Sequence, residues 1–165
     1  MYCIKKYLSL LILLFLLSVY TSAQGKCDVS KLSQRKKVEL NFFWESLRKA
    51  IIKKDKETLA KLFNFPFNCS FCTSSKSRTP YLIINKEMFY KEYYKVFFGD
   101  FFKEAVLKDE ILVILKGDIL ESGVCGYSFS FPIVKPSAEG EGLQGFLTLR
   151  ELDSRYKIIS AWSVP

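Results

Sequence analysis

Two spacings of apolar residues divide this chain into a helical first half and a strand-forming second half. In residues 33–54 large apolar side chains recur every three or four positions, as on one face of an α-helix. They are Leu40, Phe43, Trp44, Leu47 and Ile51. The pattern predicts one long amphipathic helix over residues 33–54. Asp55 is a suitable N-cap for a short second helix, and Pro66 is expected to end it, because proline pushes the preceding residue out of helical geometry.

The middle of the chain predicts a loop, a short strand and a third helix. Residues 64–80 contain cysteine, serine and proline and are expected to form the loop, with a strand over residues 81–84. Asn85 is placed to cap a helix over residues 86–98, and Gly99 is placed to stop it. Asp100 is then a candidate cap for a further turn that reaches Val106.

From residue 111 onward the apolar period changes to two. Strands are predicted over residues 111–116, 119–121, 125–134, 143–152 and 156–162, with turns at 117–118 and 153–154. Tyr127, Phe129 and Phe131 alternate with serines, which is typical of a half-buried strand. Helices followed by consecutive strands indicate the α+β class, with N-terminal helices packed on one face of an antiparallel sheet.

The first 23 residues have the pattern of a secretory signal peptide. Lys5 and Lys6 precede an apolar run over residues 8–20, and small residues follow at 21–23. The run is shorter than the roughly 20 residues that a membrane-spanning helix needs. We therefore expect cleavage after Ala23, a single domain over residues 24–165, and a secreted or periplasmic location. An uncleaved anchor is the alternative.

The excess positive charge lies near the N-terminus of the predicted mature chain. Residues 24–61 contain 11 lysines and arginines against 5 acidic residues, whereas residues 62–165 contain 12 of each. This charge makes an anionic envelope component a candidate partner of the basic first helix, through Lys49, Lys53 and Lys54. The alternative is an ordinary solvated helix face. No nucleic-acid partner is expected, because no binding motif is present.

The chain contains no histidine, which limits its chemistry. Histidine is the commonest general base and metal ligand, and Ser-His-Asp and Cys-His catalysis both need it. No motif assigns a catalytic residue or a metal ligand. We therefore expect no cofactor and no metal.

Four cysteines fall in the predicted mature chain, at Cys27, Cys69, Cys72 and Cys125. In an exported chain they are expected to form disulfides, and three pairings are possible. We favour Cys69–Cys72 together with Cys27–Cys125. A redox dithiol at Cys69 and Cys72 and a cysteine-rich zinc site are the alternatives.

Three motifs carry a family resemblance. The first is Phe43-Trp44-x-x-Leu47-x-x-Ala50-Ile51, continued by Asp55, Leu59 and Leu62-Phe63-x-Phe65-Pro66-Phe67. The second is Ile84-Asn85-Lys86-Glu87-x-Phe89-x-x-x-Tyr93, and the third is the closing hairpin over residues 145–162. In these motifs the chain resembles secreted bacterial proteins of the nuclear transport factor 2-like, or cystatin-like, superfamily.

The resemblance implies a cone, in which a curved antiparallel sheet wraps the long helix around an interior pocket. The superfamily includes isomerases, dehydratases and many non-catalytic binding domains, so fold alone does not select a function. Related folds often dimerise sheet to sheet, which makes a homodimer a candidate state. The polar outer positions Ser128, Ser130, Thr148 and Arg150 argue against that contact here.

Three functions follow as hypotheses. The first is an exported non-catalytic domain that binds a small apolar ligand. Its pocket candidates are Tyr93, Phe97, Tyr127, Phe129 and Trp162. Ordinary core packing is the alternative role for these aromatics. The second is an isomerase- or dehydratase-type enzyme with a carboxylate in the cone pocket. The third is an envelope interaction protein that attaches through its basic first helix or its sheet.

Overall fold

The described part of the molecule is a helical layer on a six-stranded sheet. A computed structural model describes residues 27–72, 80–108, 110–120, 123–134 and 142–164. The predicted signal peptide and its cleavage point lie outside these residues, as does most of the second half of the loop expected over residues 64–80.

The first long helix, α1, spans Gln34–Lys53 and confirms the helix predicted from the apolar period. The side chain of Ser33 accepts a hydrogen bond from the backbone nitrogen of Lys36, which caps the helix at its start. Lys54 closes it in the left-handed conformation. The buried face is the predicted one with one residue added. It consists of Leu40, Phe43, Trp44, Leu47, Ala50 and Ile51.

The second helix, α2, spans Lys56–Lys61, and Asp55 caps it as expected by accepting from two backbone nitrogens. It ends well before Pro66, so the expectation that proline stops it was wrong. Strand β1 follows at once over Phe63–Cys69 and includes Pro66. The start of the predicted loop is thus a strand, because Phe63, Phe67 and Cys69 alternate inward into the core.

The next elements are β2 over Leu82–Ile84 and α3 over Lys86–Lys91. Asn85 caps α3 by accepting from the nitrogen of Met88. The predicted helix over residues 86–98 is interrupted at Glu92, after which Tyr93–Phe98 forms a 3-10 helix. The tighter winding is accompanied by burial of Phe97, whose ring centroid lies 6.1 Å from that of Phe89 in α3.

Helix α4 spans Asp100–Lys108, and a single turn, α5, spans Ile111–Ile114 where a strand was predicted. The spacing explains the difference, because Ile111 and Leu115 are both buried and lie four residues apart. Strand β3 then covers Lys116–Ile119. The turn expected at residues 117–118 is therefore the middle of a strand.

Three long strands complete the sheet: β4 over Cys125–Val134, β5 over Leu143–Leu152 and β6 over Arg155–Val164. The strand order is β2-β1-β6-β5-β4-β3. Neighbouring strands are antiparallel except β1 and β6, which run parallel. The expectation of a wholly antiparallel sheet is corrected on this point, because β1 lies between β2 and the last strand and runs in the same direction as that last strand.

The core lies between the helices and one face of the sheet, called here the inner face. The ring of Trp44 in α1 meets Phe129 in β4 edge-on, with centroids 5.0 Å apart. Phe102 in α4 meets Phe131 in the same way at 4.8 Å. The α+β class and the packing of helices on one face of the sheet are therefore confirmed.

Candidate functional site

Three of the five aromatic residues predicted to line a pocket, Phe97, Tyr127 and Phe129, belong to the packed core. Phe97 and Phe129 are 0% and 1% exposed. Phe97 contacts Phe63 and Phe102, and Phe129 contacts Trp44 and Phe102. These rings interlock as in an ordinary protein interior. Their positions match the core role that the sequence left open.

Trp162 lies on the outer face of the sheet and is 39% exposed. Its ring stacks on Phe146 at a centroid distance of 4.1 Å, and its indole nitrogen donates to the hydroxyl of Thr148. This corrects the expectation of an inward Trp162. A register shift between β5 and β6 places an extra residue, Ile159, before it, so the alternation changes phase.

Tyr93 and Tyr127 differ in their burial. Tyr93 is half-buried at the start of the 3-10 helix. Tyr127 is buried, and burial raises the pKa of its hydroxyl. Tyr127 and Trp162 both border a hollow of about 210 Å³ beside β3 and β4, although they lie on opposite faces of the sheet.

The α1–β6 pocket is a cavity lined by apolar, hydroxyl-bearing and charged side chains. It opens between α1, α2 and the start of β6 and has a volume of about 200 Å³. Its lining residues are Glu39, Phe42, Phe43, Ser46, Thr58, Lys61, Leu62, Arg155, Tyr156 and Lys157. None of them was among the predicted site residues.

The lining of the α1–β6 pocket divides into apolar and cationic side chains. Phe42 is 70% exposed at its edge, and Phe43 belongs to the core behind it. Lys61, Arg155 and Lys157 supply three positive charges, and Glu39 supplies the one negative charge. A ligand with an apolar body and an anionic group matches this division.

Tyr156, one of the residues that line the pocket, has an unusual hydroxyl group. Tyr156 is 3% exposed, and its oxygen is buried with no hydrogen-bond partner among the described residues. Burial, followed by the neighbouring Tyr127 and Glu151, raises the pKa of this hydroxyl, so it keeps its proton at neutral pH. It is therefore available as a hydrogen-bond donor.

Lys157 is held in place by the end of α2. Its ammonium group donates to the backbone carbonyl of Lys61, in the last turn of that helix. Cations are favoured at this end of a helix, where carbonyl groups lack partners. Burial and the nearby Arg155 lower the pKa of Lys157. The arrangement orients one cation toward the pocket while the helix end satisfies part of its hydrogen bonding.

Glu151 on β5 holds the start of α1 against the sheet. Its carboxylate forms salt bridges with Arg35 at 3.4 Å and Lys36 at 3.1 Å. It lies directly opposite Tyr156 in the β5–β6 pairing. Glu151 therefore fixes the helix beside the buried hydroxyl instead of facing the pocket as an unpaired acid.

The structure pairs the cysteines as favoured from the sequence. Cys27 joins Cys125, and Cys69 joins Cys72, with Cα–Cα distances of 5.2 and 5.3 Å. Cys69, the last residue of β1, is fully buried. Within the described ranges, no cluster of three histidine, cysteine, aspartate or glutamate residues could hold a metal ion.

Comparison with known proteins gives no match, whether to a family model, a curated protein or a solved structure. Of the helices in the part of the chain that the structure describes, none is both long enough and apolar enough to cross a membrane.

Proposed function

We propose that this protein is an exported, non-catalytic binding domain whose α1–β6 pocket takes a small ligand with an apolar body and an anionic group. Tyr156 carries the proposal, because the residue lines the pocket and its buried hydroxyl lacks a partner in the described structure. An unpaired buried hydroxyl costs about 1–3 kcal/mol, which a ligand acceptor would remove.

The size and charge of the pocket support this ligand class. A volume of about 200 Å³ suits a single ring or a short chain and is below the usual range for larger cofactors. Three cations against one carboxylate favour a carboxylate, sulfonate or phosphate on the ligand. Phe42, Phe43 and Leu62 provide the apolar contact.

Export and a cone-like fold are part of the same proposal. The signal-peptide pattern over residues 1–23, with cleavage after Ala23, supports a secreted or periplasmic location. Two disulfides are typical of such compartments. Helices packed on one face of the sheet support a nuclear transport factor 2-like cone whose interior is filled, so that a ligand meets the molecule at its edge.

An isomerase- or dehydratase-type enzyme is the second candidate. One observation favours it: Glu39, a carboxylate, lines the same pocket as Tyr156, a neutral hydroxyl donor. Such a pair could move a proton and stabilise the resulting oxyanion. This function predicts that Glu39→Gln abolishes turnover and spares binding, whereas the binding function predicts tighter anion binding in the same variant.

The binding function can be tested by calorimetric titration with benzenesulfonate, which joins a single aromatic ring to a sulfonate and suits the pocket volume. We expect saturable binding that a short-chain fatty acid reduces and the corresponding alcohol does not. Lys61→Gln with Arg155→Gln should weaken the affinity roughly tenfold, because two charge-assisted contacts are lost. The matched control is Lys103→Gln with Lys108→Gln on α4, which changes net charge equally. Equal effects of the two pairs would contradict the proposal.

A further inference from the structure

The solvent side of α1 presents three large apolar side chains in one line. Val38, Phe42 and Ile52 are 55%, 70% and 60% exposed. At 100° per residue these positions share one face with Lys49, opposite the face that packs on the sheet. We call Val38, Phe42, Lys49, Ile52 and Lys53 the α1 outer stripe. It extends over about 20 Å of helix.

Cations surround the C-terminal half of this stripe. Lys49, Lys53 and Lys54 are exposed, and no acidic group among the described residues forms a salt bridge with any of them. The one acidic residue between them and Phe42 is Glu45, which pairs with Arg48 at 3.4 Å. The stripe therefore combines apolar side chains with uncompensated positive charge.

The combination of groups indicates what the stripe meets. A single exposed apolar residue needs no explanation. Three on one helix, next to three lysines, match helices that lie in a membrane interface, where apolar side chains enter between headgroups and lysines face phosphates. An acidic polysaccharide would use the lysines but would gain nothing from Val38 or Ile52. We propose that α1 docks on an anionic phospholipid surface through its outer stripe.

Docking in this orientation has a consequence for the pocket. Phe42 belongs both to the outer stripe and to the edge of the α1–β6 pocket. A bilayer against the stripe would therefore lie beside the pocket opening. The docking inference rests on the exposed stripe alone, and it holds whether or not the pocket binds a ligand.

Vesicle flotation tests the inference, with the protein in its exported form and its N-terminus verified by sequencing. The probes are vesicles of phosphatidylcholine alone and of phosphatidylcholine with phosphatidylglycerol. We expect binding only to the second kind, weakened by salt. Lys49→Gln, Lys53→Gln and Lys54→Gln together should lower the affinity by about fivefold for each lysine. Val38→Ser with Ile52→Ser should lower it about tenfold and leave the pocket lining intact.

Two controls separate the stripe from general charge and hydrophobicity. Lys86→Gln, Lys91→Gln and Lys95→Gln remove the same charge from another exposed surface, and Ile83→Ser removes an equally exposed apolar group from β2. Both should bind like the parent protein. Equal losses in the control and test triples would overturn the proposal. If vesicle affinity falls when Lys49, Lys53 and Lys54 are replaced but not when Val38 and Ile52 are replaced, the surface recognises negative charge alone, as on an acidic polymer. That result would also overturn the proposal.

Discussion

The backbone carbonyl of Cys27 occupies the space that a β-carbon on Gly117 would need. Gly117 lies in the middle of β3, and Cys27 is joined to Cys125 in the neighbouring strand. The start of the described chain therefore crosses directly over the β3 edge of the sheet, where the disulfide holds it. This contact explains a glycine in a strand, where its lack of a side chain is normally a disadvantage.

Gly117→Ala is expected to destabilise the protein by about 1–3 kcal/mol, because the backbone of Cys27 must move to admit the new methyl group. Denaturant unfolding under oxidising conditions measures the change. Gly99→Ala is the control, since a β-carbon there meets only an ordinary contact with the carbonyl of Val96 at 3.4 Å. Similar losses in the two variants would contradict the close approach at Gly117.

The two disulfides should differ greatly in their contribution to stability. Cys27–Cys125 spans 98 residues, and in the chain-entropy model a loop of that size is worth about 4–5 kcal/mol. Cys69–Cys72 spans 3 residues and constrains the unfolded chain much less. We expect paired serine substitution of the long-range disulfide to lower the denaturation midpoint more. The reverse order would show that strain or burial at Cys69 dominates instead.

Tyr156→Phe is expected to have opposite effects on stability and binding. Removing a buried hydroxyl that lacks a partner should raise the free energy of unfolding by about 1 kcal/mol. The same change should weaken binding of the sulfonate probe. Tyr90→Phe provides the contrast, because the Tyr90 hydroxyl donates to Glu57 at 2.6 Å and its removal should bring no gain. A stability loss in Tyr156→Phe would mean that the hydroxyl has a partner in solution.

Binding of the sulfonate probe should weaken at alkaline pH through Lys157. Burial and Arg155 hold the pKa of this lysine below its ordinary 10.5, so its ammonium loses the proton earlier than other lysines do. The affinity is therefore full at neutral pH and falls as the pH rises through that lowered value. Lys157→Arg keeps its charge and should move the decline to higher pH. An unchanged pH profile in this variant would remove Lys157 from the site.

The inner aromatics should matter for folding and not for the pocket. Phe129→Ala is expected to cost about 3–5 kcal/mol, because the ring fills the space between Trp44 and Phe102. Trp162→Ala, on the outer face, should cost much less. Probe affinity in Phe129→Ala, measured well below its unfolding midpoint, should equal that of the parent. A selective loss of affinity would revive an interior ligand site.

The long elements could be predicted because their apolar period is repeated many times. In α1 apolar side chains face the core in four successive helical turns. In β4 and β5 buried and more exposed side chains alternate along the strand. Short apolar runs are ambiguous, and residues 111–115 satisfy a helical turn and a strand equally well. Strand β1 was not predicted because it contains Pro66. Proline cannot donate a hydrogen bond to a neighbouring strand, so it usually argues against a strand.

The candidate site was predictable only in part. The alternation of side chains along β6 predicts that Tyr156 points into the core. Whether its hydroxyl finds a hydrogen-bond partner depends on the residues around it in the folded structure, which the sequence does not give. The same alternation wrongly places Trp162 inside, because the extra residue at Ile159 reverses the faces beyond it. The α1–β6 pocket joins residues from three separate elements, so no local spacing indicates it.

The parallel pairing of β1 with β6 joins two distant parts of the chain. Strand β1 pairs on one side with the nearby β2, but on its other side it meets residues 158–161, about 90 residues further along the chain. Closing so long a loop is slow. Until β6 docks, β1 keeps an unpaired edge whose backbone groups can pair with another chain. The middle of the sheet is therefore the place where this fold is exposed to aggregation while it forms.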